Sequence, residues 1–372
     1  MIKFYLFLII SCSIFFYGIA VGHYEIFPFD YLQSSKSLIL NNFEKNQNDI
    51  LIYENNIDSL ITINSENDII DKRKNLISFI WKNGIPYSSS LLIDENIQDN
   101  RYQNLVNLKS IHQLNIKMDY ELNSISYLFL PEISNNKLFI YHEGHVGDFI
   151  AGKETIAFLL NEGYSVLAIS MPLLGMNNNP MIDLDRFGKI KFTDHKHLEF
   201  LESSNFSPLK FFIEPIGVSL NYLEENYNFD SYYMIGISGG GWTTVVYSAL
   251  DDRISQSYSV AGTFPIFMRS DAKNIGDYEQ IIPDFYNISN YLELYIMGSY
   301  GSERKLTLIY NEYDPCCFPG ELYDRFPFGD ILKLNLEKIG EGEFDVIIDQ
   351  EQNKHIISKE IMLTIISSIN DK

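Results

Sequence analysis

One short stretch of the chain combines a hydroxyl group with four glycines. Gly236-Ile237-Ser238-Gly239-Gly240-Gly241 follows the apolar run YYMI and precedes the helix-like run TTVVYSAL. A G-x-S-x-G pattern between a strand and a helix is typical of a sharp turn that presents serine as a nucleophile, and small residues are needed where the two elements nearly collide. The alternative is a passive serine in a glycine-rich turn. Neither the GxxxxGK[ST] nor the GxGxxG pattern of phosphate-binding loops is present here, so Ser238 is the predicted nucleophile.

A serine hydroxyl attacks efficiently only when a base takes its proton. Of the seven histidines, His355 is favoured because it follows the last strand-like run and precedes the final helix-like run. Asp314 ends the strand-like run KLTLIYNEYD, where a carboxylate would emerge near the same sheet edge and orient the imidazole. Glu312 and Asp330 are weaker candidates for that role. The sequence therefore predicts a catalytic triad of Ser238, Asp314 and His355.

Charge that develops on a carbonyl oxygen needs fixed hydrogen-bond donors. The backbone N–H of Gly239, directly after the nucleophile, is the first predicted donor. The loop YHEGHVGD (141–148) follows an earlier strand-like run and should supply the second donor, the N–H of Gly144 or of His145. We also expect four side chains near this edge to contact the substrate, namely His142, Trp242, His195 and His197.

The HEGH stretch also suggests a metal site. His142 and His145 are three positions apart, whereas the zinc-protease motif HExxH places its histidines four apart on one helical face. Asp148, Asp194, His195 and His197 offer further ligand types, but nothing in their spacing defines a site. The sequence therefore predicts neither a metal nor a cofactor.

These residues need a sheet whose strands end at a common edge. Apolar runs of strand length alternate with helix-length segments from about residue 108, at 137–142, 164–171, 231–238, 255–262, 305–314 and 344–349. This alternation predicts an α/β fold with a mostly parallel central sheet and helices on both faces. The runs SIHQLNIKM and SISYLFLP before it predict a hairpin. Residues 173 to about 212 and 263 to about 300 are too long for simple connections, so we expect lid-like insertions or a wall of the substrate pocket.

The first residues differ from the rest of the chain. Lys3 is followed by a stretch from Phe4 to Gly22 without any charge, which as a helix would span roughly 28 Å, close to the thickness of a bilayer core. We expect residues 1–23 to form a signal anchor that holds the chain in a membrane, or a signal peptide that is removed, with the remainder outside the cytoplasm. Residues 24–107 are predicted to form a mostly helical extension and residues 108–372 the catalytic domain.

The chain is acidic overall. Its 49 Asp and Glu against 28 Lys and Arg give a formal net charge of -21, which would repel nucleic acid. We therefore expect no nucleic-acid partner, and composition gives no indication of the oligomeric state.

Over roughly residues 108–368 the chain resembles the α/β-hydrolase superfamily, and most of all its dienelactone-hydrolase and acetyl-esterase branch. The stretches YHEGHVGD, GISGGGW, NEYDPCC and NKH carry the resemblance. It implies an α/β-hydrolase fold, with Ser238 as nucleophile, His355 as base and Asp314 as orienting acid.

These observations together predict a serine hydrolase that cleaves a carboxylic ester, either a small molecule or an acyl group on a glycan or lipid, outside the cytoplasm. A serine peptidase of the prolyl-oligopeptidase type is the nearest alternative, because the same triad cleaves amides. A non-catalytic binding protein with this fold is another. The presence of all three triad residue types in the expected chain order argues against a non-catalytic binding protein.

Overall fold

The computed structural model describes residues 17, 18, 21, 56–82, 84, 91–269 and 274–370. The chain divides into two compact units, Met1–Asn55 and Asn56–Lys372, and only three residues of the first are described. Nearly all of the predicted anchor 1–23, and residues 24–55 of the predicted extension, therefore lie outside the described residues. No helix in the described ranges is long and apolar enough to span a membrane.

A nine-stranded sheet forms the centre of the second unit. Its strands are β1 (Leu91–Asp94), β2 (Leu108–Lys117), β3 (Asn123–Pro131), β4 (Lys137–His142), β5 (Ser165–Ile169), β8 (Ser231–Ile237), β9 (Ile254–Val260), β10 (Lys305–Asn311) and β11 (Glu343–Asp349), in the order β1-β2-β3-β5-β4-β8-β9-β10-β11. The six strands from β5 to β11 run parallel, and β1, β2 and β3 are antiparallel to their neighbours. The predictions of a mostly parallel sheet and of a β2–β3 hairpin are confirmed.

Helices cover both faces of the sheet. They are α1 (Glu66–Trp81), α2 (Lys153–Asn161), α3 (His195–Leu198), α4 (Lys210–Asn226), α5 (Gly239–Leu250), α6 (Pro283–Ile288), α7 (Tyr291–Ser299), α8 (Gly320–Arg325), α9 (Gly329–Ile339) and α10 (Lys359–Asn370). Apolar residues of α2 and α10 pack on one face, and those of α1, α4, α5, α7 and α9 pack on the other.

Alternation along the strands divides the core between these two faces. In β4, Leu138 and Ile140 belong to one apolar cluster and Phe139 and Tyr141 to the other. A strand that is buried on both faces needs apolar residues at every position, and β4 is buried over most of its length. This burial explains why its sequence is a continuous apolar run.

The described part of the N-terminal extension joins the core. Ile69, Leu76 and Ile80 on α1 are buried, and the indole N–H of Trp81 donates to Glu214 on α4 at 3.0 Å. Strand β1 extends the sheet from Leu91, before the predicted domain start at residue 108. The compact unit thus includes α1 and β1.

The two long segments contain different structures. Residues 173–212 form a separate hairpin of β6 (Met181–Leu184) and β7 (Gly188–Lys191), followed by the short helix α3. Residues 263–300 end in α7, all of whose residues are buried. Because α7 packs against α5 and against strands β10 and β11, this part of the predicted lid is core.

Candidate active site

Ser238 lies on a sharp turn between β8 and α5. Its φ of 55° and ψ of -124° are a strained combination for a residue with a side chain. The turn is held from both sides, because the Ser238 N–H donates to Val260 O at 2.9 Å and the Ser238 carbonyl accepts from the Trp242 N–H at 3.0 Å. The side chain is half-buried, so the hydroxyl remains accessible at the C-terminal edge of the sheet.

The glycines around Ser238 are required by close backbone contacts. A Cβ atom at Gly236 would lie 2.1 Å from the carbonyl oxygen of Gly240, and one at Gly240 would lie 2.1 Å from that of His142. Neither backbone oxygen can move without displacing a strand or a helix. The predicted need for small residues two positions before and after the serine is thus explained by the contact of β8 with α5 and β4.

Asp314 and His355 form a pair at the same edge. His355 Nδ1 lies 2.8 Å from Asp314 Oδ2 and 3.1 Å from Oδ1, and the Asp314 side chain is fully buried. The Cys316 N–H donates to Asp314 Oδ1 at 2.8 Å, and the Asn311 amide donates to Oδ2 at 3.2 Å. Because the carboxylate holds the proton on Nδ1, His355 Nε2 is left as an acceptor.

The nucleophile and the base are not hydrogen-bonded to each other. His355 Nε2 is buried and has no hydrogen-bond partner among the described residues. Strands β8, β10 and β11 are parallel, so Ser238, Asp314 and His355 all follow strand ends at one edge. Catalytic hydrogen bonds often tighten only when substrate is bound, so the Ser238–His355 contact stays a prediction.

The loop after β4 lies directly against the nucleophile. A Cβ atom at Gly144 would be 2.7 Å from Ser238 Cβ and 3.3 Å from its Oγ. The N–H of Gly144 donates to Glu143 Oε1 at 2.9 Å in this conformation, so its role as an oxyanion donor stays a prediction that requires Glu143 to release it. The N–H of Gly239 belongs to the first turn of α5, where backbone donors have no partner within the helix. With it, the N–H of His145 remains a candidate for the second donor.

Glu143 is a buried acid that the sequence analysis did not single out. Its Oε2 accepts a hydrogen bond from the Tyr141 hydroxyl at 2.5 Å. Burial raises the pKa of Glu143, although these hydrogen bonds and the nearby His355 oppose the shift. The side chain fixes the conformation of the loop over Ser238.

Two residues predicted to contact the substrate are core residues. His142 is fully buried, with Nδ1 2.9 Å from the Glu143 carbonyl oxygen, and burial lowers its pKa to about 4. Trp242 is also fully buried, and its indole N–H donates to the Tyr286 hydroxyl at 2.8 Å. Both predictions are wrong because helix α5 and strand β4 direct these side chains into the interior.

His145 and His195 belong to a cluster with Asp277 and Glu279. His145 Nε2 lies 3.1 Å from His195 Nδ1, 2.9 Å from Asp277 Oδ2 and 3.4 Å from Glu279 Oε1. His195 is buried behind His145, so the prediction that it contacts substrate is wrong. His197 is half-buried and its Nδ1 accepts from the Thr193 N–H at 3.1 Å, so its contact with substrate stays a prediction.

The histidines and carboxylates of this cluster shift one another's pKa values. Burial would lower the pKa of His145, but the carboxylates of Asp277 and Glu279 outweigh it and raise the pKa to about 10. Burial would likewise raise the pKa of Glu279, but the two histidines outweigh it and lower the pKa to about 2. Asp277 and Glu279 were missed at the sequence level. Their spacing in GDYEQ, inside a segment predicted to wall the pocket, is the one signal for them.

No protein-family model matches the chain, and no curated protein sequence matches it either. Solved structures do resemble it, among them three esterases. A putative acetyl xylan esterase from Bacteroides fragilis has 13% identity and a TM-score of 0.57, covering 82% of this chain and 87% of its own. Acetyl xylan esterase from Paenibacillus sp. R4 has 14% identity and a TM-score of 0.55, and the alignment covers 86% of this chain and 99% of the esterase. Acetyl xylan esterase 1 from Thermoanaerobacterium sp. has 11% identity and a TM-score of 0.54, and the alignment covers 85% of this chain and 97% of the esterase.

These likenesses concern the fold. The described chain has a mostly parallel α/β architecture that matches the fold of those esterases. The strained turn at Ser238 and the His355–Asp314 pair at one sheet edge are the features of this chain that bear on its chemistry.

Proposed function

We propose that this protein is a serine hydrolase that cleaves carboxylic esters through an acyl-enzyme, with Ser238, His355 and Asp314 as its triad. One observation carries the proposal: the strained Ser238 turn and the Asp314–His355 pair, whose Nδ1–Oδ2 distance is 2.8 Å, follow parallel strands of one sheet. A buried imidazole nitrogen without a partner beside a serine turn is suited to take a proton from that serine.

The reaction follows from these positions. His355 Nε2 accepts the Ser238 proton while Oγ attacks the ester carbonyl, and Asp314 stabilises the imidazolium through Nδ1–H. The N–H groups of Gly239 and His145 donate to the oxyanion of the tetrahedral intermediate. His355 then protonates the leaving alcohol, and the acyl group stays on Ser238. A water molecule deprotonated by His355 releases the acid and restores the serine.

Fluorophosphonate labelling followed by mass spectrometry tests the nucleophile. The wild-type chain should be labelled at Ser238, and Ser238→Ala should lose the label. Ser302→Ala is a matched control, because Ser302 is exposed on a loop outside the site. A folded wild-type chain that remains unlabelled would contradict catalysis and favour a binding protein.

A short acyl group, such as acetyl on a glycan, is the substrate class that we infer. The similar structures described above are named acetyl xylan esterases, and a location outside the cytoplasm would give access to such polymers. Rates with p-nitrophenyl acetate, p-nitrophenyl octanoate, acetylated xylan and a peptide p-nitroanilide test this inference. Acetyl release should exceed the other rates; preferential cleavage of the anilide would identify a peptidase instead.

The location outside the cytoplasm rests on the uncharged stretch Phe4–Gly22 after Lys3. Fusion of residues 1–23 to alkaline phosphatase, which is active only after export, tests it. The fusion should be active, and insertion of two lysines into the apolar stretch should abolish the activity. Equal activity of both fusions would contradict export by this segment.

A further inference from the structure

Near the Ser238 turn, four side chains place possible metal-ligand atoms close together. They come from three separate segments: His145 from the loop after β4, His195 from α3, and Asp277 with Glu279 from the segment between β9 and α6. Their donor atoms all lie within 4.8 Å of one another. The proposed ester hydrolysis uses only the backbone N–H of His145 and none of these four side chains.

The cluster has too few protons for its acceptors. His195 Nε2 lies 3.0 Å from the Pro172 carbonyl oxygen, so this nitrogen carries the proton and Nδ1 presents a lone pair. The single N–H of His145 then faces three acceptors, on His195, Asp277 and Glu279. Protonating His195 Nδ1 instead would place two N–H groups against each other at 3.1 Å.

Glu279 shows the deficit most clearly. Its residue is 0% exposed, and both carboxylate oxygens are buried without a hydrogen-bond partner. The nearest imidazole nitrogens, on His145 and His195, are 3.4 and 3.6 Å away. An ionised carboxylate in such surroundings is costly unless a cation compensates it. With only His145 protonated, two carboxylates against one imidazolium leave the cluster with a net negative charge.

The distances fit a tetrahedral ion. Ligands at about 2.0–2.1 Å from a central ion lie roughly 3.3 Å from one another. Four of the six pairwise separations among the groups are 2.9, 3.1, 3.4 and 3.6 Å, the last two to different oxygens of Glu279, and the ligand atoms of all four groups lie within 4.8 Å of one another. Two imidazoles and two carboxylates suit zinc and neighbouring transition ions better than Mg²⁺ or Ca²⁺, which prefer oxygen ligands alone. A divalent ion would also neutralise the two carboxylates.

We propose that His145, His195, Asp277 and Glu279 bind one divalent transition-metal ion of the zinc class. The hydrogen bond from His195 Nε2–H to Pro172 is the outer contact that typically fixes the orientation of a ligating histidine. The ion ties α3 and the 277–279 segment to the loop over Ser238. It thereby fixes His145, whose backbone N–H is a candidate for the second oxyanion donor.

Metal content and binding test the site on the full chain. The protein is stripped with a chelator, loaded with Zn²⁺, desalted and measured by elemental mass spectrometry; we expect about one ion per chain. Loading with Co²⁺ should give the intense visible absorption of four-coordinate cobalt. Glu279→Gln should lose the ion and this spectrum, with affinity falling by more than the roughly 10–100-fold that loss of an outer contact costs.

His197→Gln is the matched control, because His197 lies on the same short helix but outside the cluster, and it should keep full metal content. Should Glu279→Gln fail to fold, Asp277→Asn serves instead, since the Asp277 side chain is 41% exposed. A wild-type chain that retains no ion and whose melting temperature does not rise with Zn²⁺ overturns the proposal, as does equal binding by the ligand variants. Fluorophosphonate labelling of the metal-free protein separates this result from the fate of the proposed hydrolase.

Discussion

Asp314 determines how His355 can act as a base. Its buried carboxylate accepts from His355 Nδ1 at 2.8 Å and from two other donors, so it is held in one orientation. Asp314→Asn would favour the tautomer with the proton on Nε2, which cannot accept the Ser238 proton. We expect kcat to fall about 10⁴-fold with little change in the melting temperature.

Steady-state kinetics with p-nitrophenyl acetate, together with a thermal melt, measure both effects. Asp330→Asn is the control: Asp330 is another acid that the sequence offered for this role, but it is exposed at the start of α9. Equal loss of activity in both variants would contradict a role of Asp314 in orienting His355.

His142 makes stability depend on pH. Burial lowers its pKa in the folded chain to about 4, against a usual value of about 6.5, so the unfolded chain binds its proton first as the pH falls. Stability from this group is complete above pH 6.5 and is lost as the pH falls towards 4, by about 3 kcal/mol in total. His142→Asn should flatten the denaturant-unfolding free energy between pH 7 and pH 4 relative to wild type. Parallel pH profiles for the two proteins would contradict this expectation.

The sequence predicted that Ser238, Asp314 and His355 lie at one sheet edge, because each follows a strand-like run and parallel strands end at a common edge. Their catalytic roles stay predictions. Sequence reasoning could not locate Asp277 and Glu279. Their segment has no periodicity that fixes its path, and only the tertiary fold brings it to His145. The hydrogen bond between the Gly144 N–H and the neighbouring Glu143 side chain could not be predicted for a similar reason, because it depends on the folded loop.

At the scale of elements, α7 shows that the length of a connecting segment is a poor indicator of a lid when part of the segment is buried in the core. Residues 263–300 suggested a lid because they are too long for a simple connection. The run YLELYIMGS within them is apolar on all sides, which is typical of a helix buried in a core, and α7 is buried throughout. Strand β1 was missed for a different reason: four residues at a sheet edge carry little pattern.

Glu293 on α7 connects this core helix to the N-terminal part of the compact unit. Its Oε1 accepts from the Thr62 N–H at 2.9 Å and the Thr62 hydroxyl at 2.6 Å, and its Oε2 lies 3.0 Å from Lys72 Nζ. The side chain is 3% exposed. Glu293→Ala should reduce the free energy of unfolding by about 3 kcal/mol, because hydrogen bonds to a buried charge are lost together.

Denaturant unfolding measures this loss, with Asp71→Ala as the control on the exposed side of α1. That variant should change stability by less than about 0.5 kcal/mol. A change of similar size in both variants would mean that the contacts of Glu293 with Thr62 and Lys72 contribute little.

At the scale of the molecule, the question is where the folding unit begins. The start of the strand–helix alternation near residue 108 predicted a domain boundary there, yet the compact unit starts at Asn56 and includes α1 and β1. Four buried side chains of α1, Ile69, Leu76, Ile80 and Trp81, contact the core. At about 1.5–3 kcal/mol each, they contribute roughly 6–12 kcal/mol. This contribution matches the whole net stability of a typical domain, about 5–15 kcal/mol.

Two truncated chains distinguish these boundaries. A chain beginning at Asn56 keeps α1, β1 and the described residues that they contact in this unit, so it should melt cooperatively and be labelled by a fluorophosphonate at Ser238. A chain beginning at Leu108 leaves the apolar surface beneath α1 open and the edge of β2 unpaired, so it should aggregate or lack a cooperative transition. Circular dichroism melts and labelling of both chains measure the outcome. If the shorter chain folds and is labelled as efficiently as the longer one, α1 covers the core without stabilising it, and the boundary at residue 108 is the functional one.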